Sequence, residues 1–136
     1  MFYQLKIKRT VIDDKGNDRS VTEDYIVDQE LFGESEMRGY QEFNGECDVV
    51  VVKRLPNLKE FVNDRNDEVD VDLYLATLEE KFVNDDGDES AMKYKVIVYA
   101  QNITEATRLL NDYLKQGLNN LTLIGVKKTK IIGFLN

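Results

Sequence analysis

Histidine is absent from this chain of 136 residues, and cysteine occurs once, at Cys47. The lack of histidine excludes Ser-His and Cys-His nucleophilic catalysis and histidine-ligated metal sites. A single cysteine can form no intrachain disulfide and has no partner at zinc-ligand spacing. The Gly-Lys-Ser/Thr phosphate loop and the Gly-x-Gly-x-x-Gly fingerprint are also missing. We therefore predict a protein that is not an enzyme and that uses no metal and no small-molecule cofactor.

Long apolar runs are lacking as well. Residues 1–8 alternate apolar with polar or charged side chains, which is unlike a signal peptide, and no segment approaches the roughly 20 apolar residues of a membrane span. We expect a cytoplasmic protein without a membrane partner. Hydrophobic residues make up 42% and charged residues 32% of the chain, a composition typical of a globular protein. At this length we expect a single compact domain over residues 1–136.

The sequence does contain an internal repeat. A shift of 71 positions aligns residues 11–18 with residues 82–89, and the same shift aligns Tyr25-Ile26-Val27 with Val96-Ile97-Val98. Later in the chain the shift grows to 73 or 74, as loop insertions would produce. One shift that serves separate segments in the same order predicts a tandem duplication.

Each copy has the pattern of two strands, a helix and a third strand. Alternation of period two predicts the strands of a hairpin, and Gly16 and Gly87 mark its turn. Helices are predicted near 33–43 and over 104–116, where apolar residues recur at helical spacing. The following runs, 49–52 and 121–124, lack polar alternation, which predicts central strands buried on both faces.

The predicted fold class is α+β: a tandem duplication of a β-β-α-β unit, with mostly antiparallel sheets and helices packed on one face. The first unit covers 1–62, a polar linker covers 63–70 and the second unit covers 71–136. The strands can form two sheets of three strands or one sheet of six, and the pattern leaves both arrangements open.

The net charge of −8 disfavours general attraction to nucleic acids. From Ser90 onward, however, seven cations stand against two anions, and basic pairs end both predicted third strands. Single-stranded nucleic acid bound on a sheet face is therefore our first hypothesis for the function of a non-enzymatic accessory protein. Its predicted contacts are Lys53, Arg54, Lys93, Lys95, Tyr99, Lys127 and Lys128.

The alternative hypothesis is a protein-binding module, such as a host-factor inhibitor, a DNA mimic or a dimerising structural protein. The acidic composition fits this alternative, and the carboxylates of the linker and hairpin tips would form the DNA mimic. An apolar strip on the outward strand positions would be its interface, unless it is the contact surface between the two halves. The strip consists of Leu73, Leu75, Ile97 and Tyr99.

Two further motifs are interpreted structurally. Adjacent carboxylates at Asp13-Asp14 and Asp85-Asp86 lack the alternate spacing of a calcium loop and are typical of hairpin turns. Cys47 is flanked by Glu46 and Asp48, which would raise rather than lower its pKa, so we do not expect a reactive thiol.

Several segments together resemble a known family. They are Val21-Thr22-Glu23, Tyr25-Ile26-Val27-Asp28, Phe32 with Glu34 and Glu36, Gly45-Glu46, and Val52-Lys53-Arg54. The chain is similar to an uncharacterised family of small proteins from Bacteroides-group gut bacteria and their phages, known only as a domain of unknown function. The resemblance implies a duplicated α+β fold in a bacterial or phage-infected cytoplasm. It brings no known activity and no catalytic residues.

Overall fold

The computed structural model describes residues 1–65, 68, 70–117 and 121–135. Its elements in chain order are β1 (Phe2–Ile12), β2 (Asp18–Asp28), α1 (Phe32–Glu42), β3 (Asp48–Arg54), β4 (Leu58–Phe61), β5 (Asp72–Val83), β6 (Glu89–Ala100), α2 (Ile103–Gln116), β7 (Leu121–Lys128) and β8 (Ile131–Leu135). These elements form two mixed four-stranded sheets, each with one helix, in a repeated β-β-α-β arrangement. The predicted α+β fold class is confirmed.

The two hairpin turns show the repeat at atomic detail. The Asp13 carboxylate accepts hydrogen bonds from backbone N–H groups two and four residues ahead, both at 2.9 Å. Asn84, 71 positions later, accepts the same two bonds at 3.1 and 3.0 Å. Gly16 and Gly87 have φ of +78° and +84°, a left-handed conformation that glycine adopts without steric cost. Equivalent residues therefore perform the same local task in both copies.

The first sheet has the strand order β3-β1-β2-β8 and the second has the order β4-β6-β5-β7. β2 pairs with β8 in parallel, and β6 pairs with β4 in parallel, whereas the other pairings are antiparallel. The chain divides into unit 1, residues 1–56 with 130–136, and unit 2, residues 57–129. The final strand of each repeat thus belongs to the sheet built by the other repeat.

This exchange gives the units different boundaries from the sequence repeats at 1–62 and 71–136. The predicted three-stranded sheets lacked the short strands β4 and β8, which the structure adds as a fourth strand to each sheet. Of the predicted linker 63–70, residues 66, 67 and 69 lie outside the described residues. The prediction that residues 1–136 form a single compact domain stays a prediction.

In unit 1, helix α1 packs on one face of the first sheet over a core of Tyr3, Leu5, Ile7, Tyr25, Val27 and Leu135. Two small residues, Ser35 and Gly39, are the buried residues of this helix. A β-carbon at Gly39 would lie only 2.9 Å from Cγ2 of Val49 and 3.1 Å from Cδ1 of Leu5. The glycine therefore lets the helix approach the sheet closely.

In unit 2, helix α2 buries Ala106 and Leu110 against the second sheet, at the positions equivalent to Ser35 and Gly39. The Asn102 side chain caps this helix by accepting a hydrogen bond of 2.8 Å from the backbone N–H of Glu105. Helix α1 begins after Leu31, which provides no side-chain cap. The second copy consequently has the longer and better-capped helix.

The prediction that the third strands are central and buried on both faces is wrong. β3 and β7 lie at the edges of their sheets, and Val50 and Val51 are half exposed. A β-bulge explains the missing alternation: Lys6 faces Val51 while Ile7 faces Val49, which leaves Val50 as an extra residue. Ile124 is the extra residue at the equivalent point of β7. Inserted residues, rather than burial on both faces, therefore break the period of two.

Candidate interaction surfaces

The β5–β6 hairpin extends beyond its neighbouring strands as a two-stranded ribbon. β7 pairs with β5 only as far as Glu80, and β4 pairs with β6 only from Lys95 onward. Residues 81–94, here called the second ribbon, consequently pair with each other and with no other described strand. A hairpin that leaves its sheet in this way presents both faces and both edges to its surroundings.

The end of the second ribbon combines acidic and apolar side chains. Asp85, Asp86 and Asp88, here called the acidic tip, are exposed at the turn, where residues 84–88 include no cation. Beside them Phe82, Val83 and Met92 are 40%, 66% and 48% exposed. Phe82 alternates in phase with the buried residues Ala76 and Leu78 of β5, but it lies outside the core that they form with helix α2. Sequence reasoning missed these apolar residues because alternation does not reveal where the core ends.

The β1–β2 hairpin forms an equivalent but less acidic first ribbon, residues 9–23. Ile12 is exposed beside Asp13 and Asp14, and Lys15 partly balances their charge. At the base of the ribbon the Arg9 guanidinium donates to the Glu23 carboxylate at 2.5 Å. This guanidinium also lies 4.9 Å from the ring centre of Phe43, in cation–π geometry.

Tyrosines at the inner ends of both ribbons have perturbed acidity. Burial, reinforced by the negative charge of Glu23, raises the pKa of Tyr25 to about 12. In unit 2, Tyr94 donates a 3.1 Å hydrogen bond to Glu80, and this bond raises the Tyr94 pKa. Glu80 and Tyr94 occupy the positions equivalent to Arg9 and Glu23. An ion pair in one copy is thus replaced by a tyrosine–carboxylate pair in the other.

Within each predicted basic pair, the two side chains do not share one surface. Neighbouring residues of a strand point to opposite faces, so Lys53 is separated from Arg54 on β3, and Lys127 is separated from Lys128 on β7. Arg54 Nε donates to Met1 Sδ at 3.3 Å, and Lys128 Nζ lies 3.4 Å from an Asp72 carboxylate oxygen. Lys53 and Arg54 also belong to unit 1, whereas the remaining basic residues belong to unit 2.

Three of the predicted lysines do share a face. Lys93 and Lys95 lie on β6, and Lys127 lies across β5 on β7, all on the face of the second sheet away from α2. Glu79 lies on the same face, opposite Lys93. From strand spacing, Lys95 and Lys127 are separated by roughly 10–12 Å. These three lysines form a small basic area. Tyr99, the predicted stacking residue, does not contribute to it, because its ring is buried.

The predicted apolar strip is not an exposed surface in this structure. Leu73 and Ile97 are each 1% exposed, Tyr99 is 3% exposed and Leu75 is half-buried. The Tyr99 ring stacks on Phe61 of β4 at 5.8 Å, which places it in the packing of unit 2. The Asn63 amide side chain exchanges two 2.9 Å hydrogen bonds with the backbone of Tyr99.

A family model described as a domain of unknown function, DUF4494, matches residues 1–136. The chain belongs to the DUF4494 family. Membership of an uncharacterised family, predicted from the sequence, is thereby confirmed. No curated protein and no solved structure matches the chain.

Cys47 of this DUF4494 chain is half-buried beside helix α1. Its Sγ lies 3.7 Å from the carbonyl oxygen of Gly39, in hydrogen-bonding geometry. Burial, and secondarily the charge of Asp48, raises the pKa of the thiol. The thiol also borders a shallow depression lined by Arg9, Ser20 and Asp48. A thiol with a raised pKa is a poor nucleophile, so this depression has no activated group at Cys47.

Across residues 1–65, 68, 70–117 and 121–135, acidic and cysteine side chains form no group of three able to hold a metal ion. Neither described helix is long and apolar enough to cross a membrane.

Proposed function

We propose that this DUF4494 protein is a non-enzymatic protein-binding module that contacts a basic partner protein through the end of the second ribbon. The observation that carries the proposal is the acidic tip beside three exposed apolar residues, on an arm that extends past its sheet. Carboxylates attract a basic surface over distance, and apolar side chains stabilise the complex after contact. The net charge of −8 favours the same class of partner.

The ribbon also has the geometry that binding requires. Its strands are joined by a continuous antiparallel ladder from Asp72↔Ala100 to Val83↔Glu89, so backbone hydrogen bonds order the arm up to its turn. An ordered tip loses less conformational entropy on binding than a flexible loop does. The first ribbon has a weaker combination, since Lys15 reduces its charge and Ile12 is the large apolar side chain exposed at its end.

A direct test compares ribbon variants of the full chain. The immobilised protein is used to capture proteins from an extract of a Bacteroides-group bacterium, and each captured protein is purified and titrated against the variants. We expect a basic partner whose affinity falls at least about tenfold when Asp85, Asp86 and Asp88 are changed to Asn. Phe82→Ser with Met92→Ser should reduce affinity by a similar factor, because it removes the apolar contact.

The matched control is the first ribbon, where Asp14→Asn and Ile12→Ser alter equivalent chemistry. These substitutions should leave the affinity unchanged. The proposal would be contradicted by a partner that binds the variants of the second ribbon, both the acidic-tip variant and the Phe82→Ser, Met92→Ser variant, as tightly as the unmodified protein.

A second candidate function is binding of single-stranded nucleic acid on the face that holds Lys93, Lys95 and Lys127. Three lysines on one face favour it, since phosphate contacts need clustered cations. The test is fluorescence anisotropy of labelled DNA and RNA oligonucleotides at two salt concentrations. Lys127→Glu should weaken binding strongly and Lys128→Glu, with the same charge change on the opposite face, should weaken it little. Equal effects of the two substitutions would exclude this face.

The setting we propose is the cytoplasm of a Bacteroides-group bacterium or of a cell infected by one of its phages. The family resemblance supports this setting. Fractionation of a producing strain, followed with an antibody against the chain, would test it.

A further inference from the structure

The outer edge of β6 is only partly covered by its neighbour β4. Lys95 donates its backbone N–H to the carbonyl oxygen of Asn57 at 2.9 Å, and the Ile97 carbonyl accepts from Val62 N–H at 2.8 Å. In an antiparallel strand, alternate residues direct their N–H and C=O groups to the same edge. The backbone groups of Glu89, Ala91 and Lys93 therefore face the edge that Lys95 and Ile97 use.

No described strand covers this part of the edge, because β4 reaches β6 only at Lys95. Glu89, Ala91 and Lys93 are all exposed. Three consecutive outward positions on a continuously paired ribbon form a template to which another strand can hydrogen-bond.

We propose that this edge pairs with the same edge of a second copy of the chain, in an antiparallel register centred on Ala91. In this register Ala91 faces Ala91 of the second copy, and Glu89 faces its Lys93. The two-fold symmetry repeats the Glu89–Lys93 pair on the other side. All three facing pairs join outward-directed residues, so their N–H and C=O groups meet in the pattern that an antiparallel ladder requires.

The charges select this pairing over its alternatives. Opposite charges that face each other across neighbouring strands are stabilising, and like charges are destabilising. The equivalent edge of the first ribbon has Asp18, Ser20 and Thr22 at these three positions, so self-pairing there would place Asp18 opposite Thr22 without a cation. The second ribbon is therefore the self-complementary one.

The contact is short, which makes the dimer weak. Five residues per copy bury far less than the roughly 800 Å² per partner of a standard stable interface. Association should depend on concentration and weaken with salt. The inference goes beyond the proposed function, because it uses the backbone edge of Glu89–Lys93 and none of the acidic tip. Its tests do not involve a second protein, so the two proposals can fail separately.

The first test is sedimentation of the full chain over a concentration series, with Ala91→Pro and Ser20→Pro as matched variants. Residues 20 and 91 are equivalent, and each directs its N–H outward, so proline removes no bond within either hairpin. We expect a dimer that Ala91→Pro abolishes and Ser20→Pro leaves unchanged. A protein that stays monomeric at all concentrations, or a dimer that survives Ala91→Pro, would overturn the proposal.

The second test uses charge and leaves the backbone intact. Glu89→Lys and Lys93→Glu should each reduce self-association by about tenfold, since each brings like charges together. An equimolar mixture of the two variants should associate again, because every facing pair is then a Lys with a Glu. A mixture that associates no better than its components would refute the register. This result would stand even if a proline variant failed to fold.

Discussion

Substitution of Gly39 by alanine tests the close approach of helix α1 to the first sheet. Alanine in place of glycine inside a helix ordinarily stabilises by up to about 1 kcal/mol. At Gly39, however, the new methyl group would lie 2.9 Å from Cγ2 of Val49 and 3.1 Å from Cδ1 of Leu5. Overpacking of a tight core costs about 1–3 kcal/mol, and valine has little rotamer freedom with which to move away.

The steric cost should win, and we expect Gly39→Ala to lower the free energy of unfolding by about 1 kcal/mol. Urea unfolding followed by far-UV circular dichroism measures this change, which should lower the midpoint by roughly 0.5 M. Gly33→Ala in the same helix is the control, since nothing lies within 4 Å of its β-carbon position. Gly33→Ala should be neutral or stabilising.

A double-mutant cycle identifies the clash itself. Val49→Ala removes the nearest methyl group, so Gly39→Ala should cost less in that background, with a coupling of at least about 0.5 kcal/mol. If Gly39→Ala were as stable as the unmodified protein, or if the cycle showed no coupling, the helix would not be held against the sheet as described.

Other predictions address capping and titration. Asn102→Ala should destabilise α2 by about 1 kcal/mol, whereas Leu31→Asp should stabilise α1 by a similar amount, because it adds the missing cap. Thermal unfolding measures both changes in stability. Changes of the same sign would contradict the description of the two helix caps. The pKa of Tyr25, about 12 in the folded protein against 10.0 ordinarily, means that stability present below pH 10 is lost as the pH rises towards 12. Tyr25→Phe should flatten the dependence of unfolding free energy on pH in this window. Cys47 should react with a thiol reagent at pH 8 more slowly than free cysteine does, because its pKa is raised, and a faster reaction would refute this.

The repeat and the hairpins could be predicted because they depend on local rules. Asp13 and Asn84 begin the same turn, Gly16 and Gly87 adopt the same positive φ, and the alternation from Tyr3 to Ile7 identifies the buried face. Helix α2 was predicted over 104–116 and is found over Ile103–Gln116. Each of these features is determined by residues close to one another in the chain.

Long-range pairing was harder to predict. β4 and β8 have only four and five residues, too few for a periodic pattern. A shift of 73 does align Phe61-Val62 with Phe134-Leu135, which is a signal that both copies continue past the third strand. Which sheet each short strand joins depends on tertiary contacts that no local pattern contains.

The candidate interaction surfaces show the same difference between features set by local sequence and features set by tertiary contacts. The acidic residues of the tip were evident from the sequence as turn residues. Burial of Tyr99 depends on Phe61 of a strand that was not predicted, and exposure of Phe82 depends on where α2 ends its contact with β5. Both outcomes concern which positions remain accessible, and accessibility is a property of the assembled core.

The parallel pairing of β2 with β8 also has a consequence for the order in which the molecule can form. Unit 2 is contiguous, and its last strand ends at Lys128, whereas unit 1 needs residues from both ends of the chain. During synthesis from the N-terminus, unit 2 can therefore acquire its full set of strands before unit 1 does. Until Ile131–Leu135 has left the ribosome, the edge of β2 at Ile26 is unpaired. A product that is truncated before β8 would keep this edge exposed.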